Sequence, residues 1–158
     1  MKSALVFSPE VAAALASNSP IVALESTIIS HGLPRPSNLN VAREVEAIVR
    51  EHGATPATIA ILDGVVHIGL TAEQLVAVAN RDDISTASSR DLAVLVASKK
   101  SAATTVAATA HLAALAGIKV FATGGLETLG GLNVGLVTPG PIVPPGVITA
   151  ITSIESPL

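Results

Sequence analysis

At 158 residues the chain is long enough for one domain with a real core, and its composition, 49% hydrophobic but only 1% aromatic, requires that core to be built from Ala, Val, Ile and Leu. A net charge of −3 without a basic cluster or an aromatic stacking platform argues against a nucleic-acid partner, and the absence of Cys excludes disulfides, thiolate metal sites and Cys nucleophiles. Charged residues make up 13%, about half the usual share, so much of the surface is expected to be apolar, which favours an oligomer or an incomplete fold.

Met1 to Phe7 runs into Pro9 and Glu10 before a secretory segment could develop, so a cytoplasmic protein is expected. No membrane span is expected either, because the long charge-poor stretch near the end is broken by Pro139, Pro141, Pro144 and Pro145. Ser8-Pro9-Glu10 reads as a helix start, with a hydroxyl cap, Pro in the first position and an acid in the first turn. That helix covers Val11 to Ser17 and ends before Pro20. The apolar run Ile21 to Leu24 then reads as a buried strand.

The strand ends at once in Glu25, followed by Ser26 and Thr27. A carboxylate where a buried strand meets a loop is expensive to desolvate unless it is paired or hydrogen-bonded. Two uses suit it. Burial raises a carboxyl pKa, which leaves the group able to donate a proton near neutral pH. Alternatively it caps a neighbouring helix or pairs with one of the few arginines. Gly32, Pro34 and Pro36 mark a turn-rich loop, which carries His31 and Arg35.

Ser37 is expected to cap the next helix, with Val41, Val45, Ile48 and Val49 as its apolar stripe. Arg43, Glu44, Glu46 and Arg50 fall on its wet side, and Gly53 closes it. Thr58 to Leu62 reads as a strand, with Asp63-Gly64 turning it into Val65 to Ile68 as a hairpin. His67 within that hairpin reads as structural. Thr71 to Gln74 is a capping box that opens a helix through Val78, and Asn80 to Asp83 is a polar turn. Ile84 to Ala87 reads as a weak strand. Ser88 and Asp91 suggest a second capping box before a helix from Leu92 to Lys99.

Thr104-Thr105-Val106 separates that helix from the next, Ala107 to Ala116, which Gly117 closes. Ile118 to Ala122 is a strand leading into Gly124-Gly125, a pair that serves either a plain turn or the close approach of a phosphate. Beyond it, Leu132 to Thr138 reads as a strand, and Val147 to Ile151 as a last strand or a short helix. Alternating strands and helices of these lengths predict an α/β fold, a mixed sheet flanked by helices on both faces. His52 and His111 have no second ligand at metal spacing.

The string Leu24-Glu25-Ser26-Thr27-Ile28-Ile29-Ser30-His31-Gly32 closely resembles the N-terminal signature of the pseudouridine-5'-phosphate glycosidases, the family that includes the indigoidine-cluster glycosidase-like proteins. The likeness continues in order through Pro56-Ala57-Thr58-Ile59-Ala60, Ser88 to Leu92, Ala103 to Ala107 and Leu115 to Gly125. It implies reversible cleavage of the C–C glycosidic bond of pseudouridine 5'-phosphate to uracil and ribose 5-phosphate. It also implies a manganese cofactor, a lysine that forms a Schiff base with the opened sugar, and a homotrimer. The resemblance makes Glu25 the proton donor and Val106 a substrate contact.

This sequence departs from the family pattern in several places. Thr86 stands where the family has a substrate-contacting lysine, and Ser89 where it has the first Arg of a Ser-Arg-Arg-Asp string. After Gly125 the segments with the metal-binding acid and the Schiff-base lysine have no counterpart. Gly131 to Val137 resembles a much later motif, with Gly140 in place of an Asn. The expected organisation is therefore an α/β domain over residues 1–125 and a Gly/Pro-rich tail over 126–158, truncated relative to the family fold. Lys99, Lys100 and Lys119 read as solvated or structural. The alternative to a glycosidase is an inactive remnant, or a partner subunit of a full-length homologue.

Overall fold

The computed structural model describes residues 5–123 and the backbone of the strand Ile148–Ile151. In chain order the elements are β1 (Leu5–Phe7), α1 (Pro9–Ala16), β2 (Ile21–Leu24), a single π-helical turn (Ile28–Gly32), α2 (Ser37–Glu51), β3 (Thr55–Leu62) and β4 (Val65–Ile68). They continue with α3 (Ala72–Asn80), β5 (Ser85–Ala87), α4 (Leu92–Ala97), β6 (Ala102–Thr104), α5 (Val106–Ala116), β7 (Val120–Thr123) and β8 (Ile148–Ile151).

The strands form one mixed sheet in the order β1-β4-β3-β2-β7-β8, with β6 pairing to β3 and β5 to β6. β2 runs parallel to β3 and to β7, with Leu24 opposite Thr58 on one side and Ala122 on the other. A strand paired on both edges and covered on both faces reads as a continuous apolar run, as Ile21 to Leu24 does. β3 is the long central strand. Its first half pairs with β2, and its second half is antiparallel to both β4 and β6.

Alternation along β3 divides the core into two layers. Ala57, Ile59 and Ile61 pack with α1, α4 and α5, together with Phe121 of β7. Ala60 and Leu62 pack on the other face with Ala42 of α2 and Leu75, Val78 and Ala79 of α3. The expected mixed sheet with helices on both faces is therefore the observed fold. Among the described residues no helix is long and apolar enough to cross a membrane.

Several local expectations hold in detail. Ser8 caps α1, and Thr71 with Gln74 completes a capping box on α3. Asp63 and Gly64 both have positive φ, 50° and 81°, as a tight hairpin turn of this kind requires. A Cβ on Gly64 would lie 2.7 Å from the Lys99 Cα, so the hairpin tip packs directly on the end of α4.

Other expectations are corrected. Ser37 is the first residue of α2 rather than its cap. Pro36 holds the cap position without a side-chain bond, and the Asn38 amide is satisfied by the Pro34 carbonyl at 3.0 Å. Glu46 is buried rather than wet, and Ile48 is 47% exposed. The inward face of α2 is Asn38, Ala42 and Glu46, because Thr58 and Arg50 hydrogen-bond the Glu46 carboxylate. β3 begins at Thr55, ahead of Thr58, since Pro is tolerated at the start of a strand.

Asp91 reaches back to the Ser88 amide at 2.9 Å, but the Ser88 hydroxyl bonds that carboxylate instead of a helix amide, so the second capping box is only half made. α4 ends at Ala97, and Lys99 lies beyond it with φ of 53°. β1 and β6, three residues each, are strands that the sequence pattern does not predict. Leu132 to Thr138 lies outside the described residues. Ile148–Ile151 is a strand, parallel to β7.

Candidate active site

The ends of two strands meet head-on beside Glu25. β2 stops at Leu24, and β6 comes from the opposite direction and stops at Thr104. Ser26 and Thr104, both buried, lock the two ends together. The Thr104 amide donates to Ser26 Oγ at 2.9 Å, and the Ser26 amide donates to the Thr104 carbonyl at 3.3 Å. Both hydroxyls donate to the Ile59 carbonyl, Ser26 at 2.6 Å and Thr104 at 2.7 Å. Thr109 Oγ1 then donates to Thr104 Oγ1 at 2.8 Å. This polar seam fixes the strand end that carries Glu25 against the start of α5. Crevices beyond the carboxyl ends of strands, where the chain direction changes, are where α/β folds bind ligands.

Glu25 itself is half-buried. Thr123, at the end of β7, donates its hydroxyl to Glu25 Oε1. Burial pushes the Glu25 carboxyl above its ordinary range, and the Thr123 bond opposes that by favouring the charged form. A cavity of about 70 Å³ lies against the carboxyl, and Leu24, Ile28, Leu33, Val41, Val45 and Ala122 give it aliphatic walls. No second titratable side chain lines it among the described residues.

The loop that closes this cavity is braced by hydrogen bonds to the end of α3. Asn38 Nδ2 donates to the Ile29 and Ala79 carbonyls, each at 2.8 Å, which ties the π turn and α2 to the end of α3. Arg35 joins the same anchor through the Ala79 carbonyl at 3.0 Å and Asp82 at 2.9 Å. Single π-helical turns occur disproportionately at functional sites. A larger hollow of about 390 Å³ lies elsewhere, between the starts of α1 and α3 and one face of α2. There Arg50 pairs with Glu10 at 2.9 Å and with Glu46 at 3.4 Å, so these charges join α1 to α2.

Val106 is the first residue of α5, half-buried against the core and outside the cavity walls. His31 is exposed and is not the partner of Glu25. Thr86, Ser89, Lys99, Lys100 and Lys119 are exposed as well. His67 is half-buried and shares a 3.1 Å hydrogen bond with Gln74, and burial lowers its pKa, as suits a structural imidazole. Gly124, Gly125 and Gly140 lie outside the described residues. No group of three or more Asp, Glu or His side chains among the described residues could hold a metal ion. Glu25 is the one carboxyl that lines the cavity among the described residues, and it has no second carboxylate or imidazole beside it to help hold a manganese ion.

Sequence reasoning missed Thr123 and Asn38. Thr123 could have been sought as the last residue of an apolar strand, the same position that singled out Glu25. No local pattern points to Asn38.

Two solved structures share this fold. One is the prealnumycin C-glycosynthase AlnA, in complex with ribulose 5-phosphate, with a TM-score of 0.68 and 40% identity over 77% of this chain and 39% of that one. The other is an indigoidine synthase A-like protein from Thermotoga maritima, also at 0.68, with 36% identity and the same coverage. The family model for indigoidine synthase A like proteins matches residues 10–137, and the chain belongs to that family.

A pseudouridine-5'-phosphate glycosidase of Lysinibacillus sphaericus is 54% identical over 87% of this chain and 44% of its own length. One from a Jannaschia species is 58% identical over 83% of this chain and 42% of its own. The chain thus spans less than half the length of the curated relatives it matches.

Proposed function

We propose that this chain carries pseudouridine-5'-phosphate glycosidase chemistry, the reversible cleavage of the C–C bond between uracil and the sugar phosphate, with Glu25 as proton donor. The observation that carries the reading is the Glu25 carboxyl, raised by burial and set beside an apolar cavity at the ends of β2 and β7. When the C–C bond breaks, its electron pair stays with the uracil ring carbon, which needs a proton, and the sugar's anomeric carbon, left electron-poor, takes the hydroxyl of a water, so that one water is consumed and ribose 5-phosphate is released. A carboxyl still protonated above the usual range supplies it. In the reverse direction the carboxylate takes the proton back.

The names of the relatives at 54% and 58% identity support this substrate, and the ribulose 5-phosphate in the AlnA structure supports a pentose phosphate site. Val106 is proposed as a substrate contact on the family resemblance; it stands at the start of α5, beside Thr104 of the seam that reaches the Glu25 strand end. A homo-oligomer, which the low share of charge supports, and a cytoplasmic setting, which suits phosphorylated metabolites, belong to the same reading.

A second reading is an inactive remnant or a partner subunit of a full-length homologue. One observation favours it: Lys99, Lys100 and Lys119 are exposed, and none lines the cavity. The assay that decides is synthesis. Purified protein is mixed with uracil, ribose 5-phosphate and manganese, and pseudouridine 5'-phosphate is read by mass. Product that is lost in Glu25→Ala supports the glycosidase. No product from protein shown to be folded supports the second reading.

A further inference from the structure

We propose that Thr123 is a positioning residue for this site: its hydroxyl clamps Glu25 Oε1 across the β2–β7 ladder and leaves Oε2 as the oxygen that exchanges protons with substrate. The inference rests on the reading of Glu25 as proton donor. The two residues follow paired strand positions, since Leu24 of β2 lies opposite Ala122 of β7. Both strand ends therefore deliver their next side chain to one place, and the Thr123 hydroxyl donates to Glu25 Oε1 there.

A donor on Oε1 satisfies part of the carboxylate's charge at that oxygen. Oε2 then keeps the more basic lone pairs and takes the proton. Nothing else among the described residues competes for this role. The cavity walls from β2, the π turn, α2, β3 and β7 contribute no other titratable or charged group. Glu46 is engaged behind Thr58, at 2.7 Å from its hydroxyl. Burial alone raises the Glu25 pKa. The Thr123 bond works against burial and keeps the ionised form accessible, which a reversible reaction requires of its acid.

The test is a carbon-13 titration of the Glu25 carboxyl in the intact chain, its resonance assigned by its loss in Glu25→Gln. Thr123→Ser keeps the donor and is expected to titrate as the wild type does. Thr123→Val keeps the shape and loses the donor, and its midpoint is expected to move to higher pH. A valine variant that titrates as the wild type does, or a serine variant that shifts as far as valine, overturns the proposal. Should the valine variant fail to fold by circular dichroism, the wild type decides. A slowly exchanging Thr123 hydroxyl proton that correlates with the Glu25 carboxyl carbon supports the clamp, and a rapidly exchanging one overturns it. None of these readouts needs turnover, so failure of the clamp is distinct from failure of the synthesis assay.

Discussion

Replacing Ser26 by Ala tests the seam that holds Glu25 in place. Ser26 Oγ donates to the Ile59 carbonyl at 2.6 Å and accepts the Thr104 amide at 2.9 Å. The Ile59 carbonyl does not lose its last partner, because Thr104 Oγ1 still reaches it at 2.7 Å. The Thr104 amide does lose its partner, in a residue with no exposed surface. One orphaned buried donor costs about 1–3 kcal/mol, and removing a single oxygen adds no cavity of note. The expected loss is therefore about 2 kcal/mol, or roughly 4–8 °C in Tm for a chain of this size.

Thr104→Val should cost a similar amount, since it strands the Thr109 hydroxyl that now donates to Thr104 at 2.8 Å. The double variant should cost more than the sum, because only then does the Ile59 carbonyl lose both donors. Urea denaturation followed by far-UV circular dichroism measures all three. A Ser26→Ala cost below about 0.5 kcal/mol, or strict additivity in the pair, would refute the reasoning.

Two further outcomes follow from the same geometry. Because burial raises the Glu25 carboxyl above its ordinary value, the folded chain binds more protons than the unfolded chain just above that value. Glu25 therefore contributes a stability that declines as pH rises from about the ordinary value through the raised one, and Glu25→Gln should flatten that decline and be the more stable protein at neutral pH, read by melts across pH. Gly64→Ala should destabilise by more than about 1 kcal/mol, since φ there is +81° and the added Cβ would lie 2.8 Å from the Val96 carbonyl oxygen. A melt within a degree of wild type would contradict that contact.

What the sequence made legible is what local chemistry decides. The apolar run Ile21 to Leu24 could only be a buried strand, and the carboxylate closing it stood out for the same reason. Gly53 and Gly117 were read as closing their helices and Gly64 as part of a tight turn, and all three have positive φ. The three-residue strands β1 and β6 were too short to show alternation, and the Ala-rich β6 has poor strand propensity. Glu46 looked wet because three charged neighbours on α2 do face solvent. What holds it inside is the Thr58 hydroxyl of β3, which periodicity along the helix cannot reveal. The partners that make the site were the least visible of all. Thr123 lies 98 residues from Glu25 and Thr104 lies 78 from Ser26, so only the sheet order brings them together.

The measurement that reaches the central claim most directly is cleavage of pseudouridine 5'-phosphate in deuterium oxide, with the released uracil read by mass and NMR. If Glu25 delivers the proton to the ring carbon, the wild type should release uracil carrying one deuterium at the carbon that held the sugar, and Glu25→Gln should release none. Undiminished uracil from the glutamine variant, or no uracil from folded wild-type protein, would contradict the account.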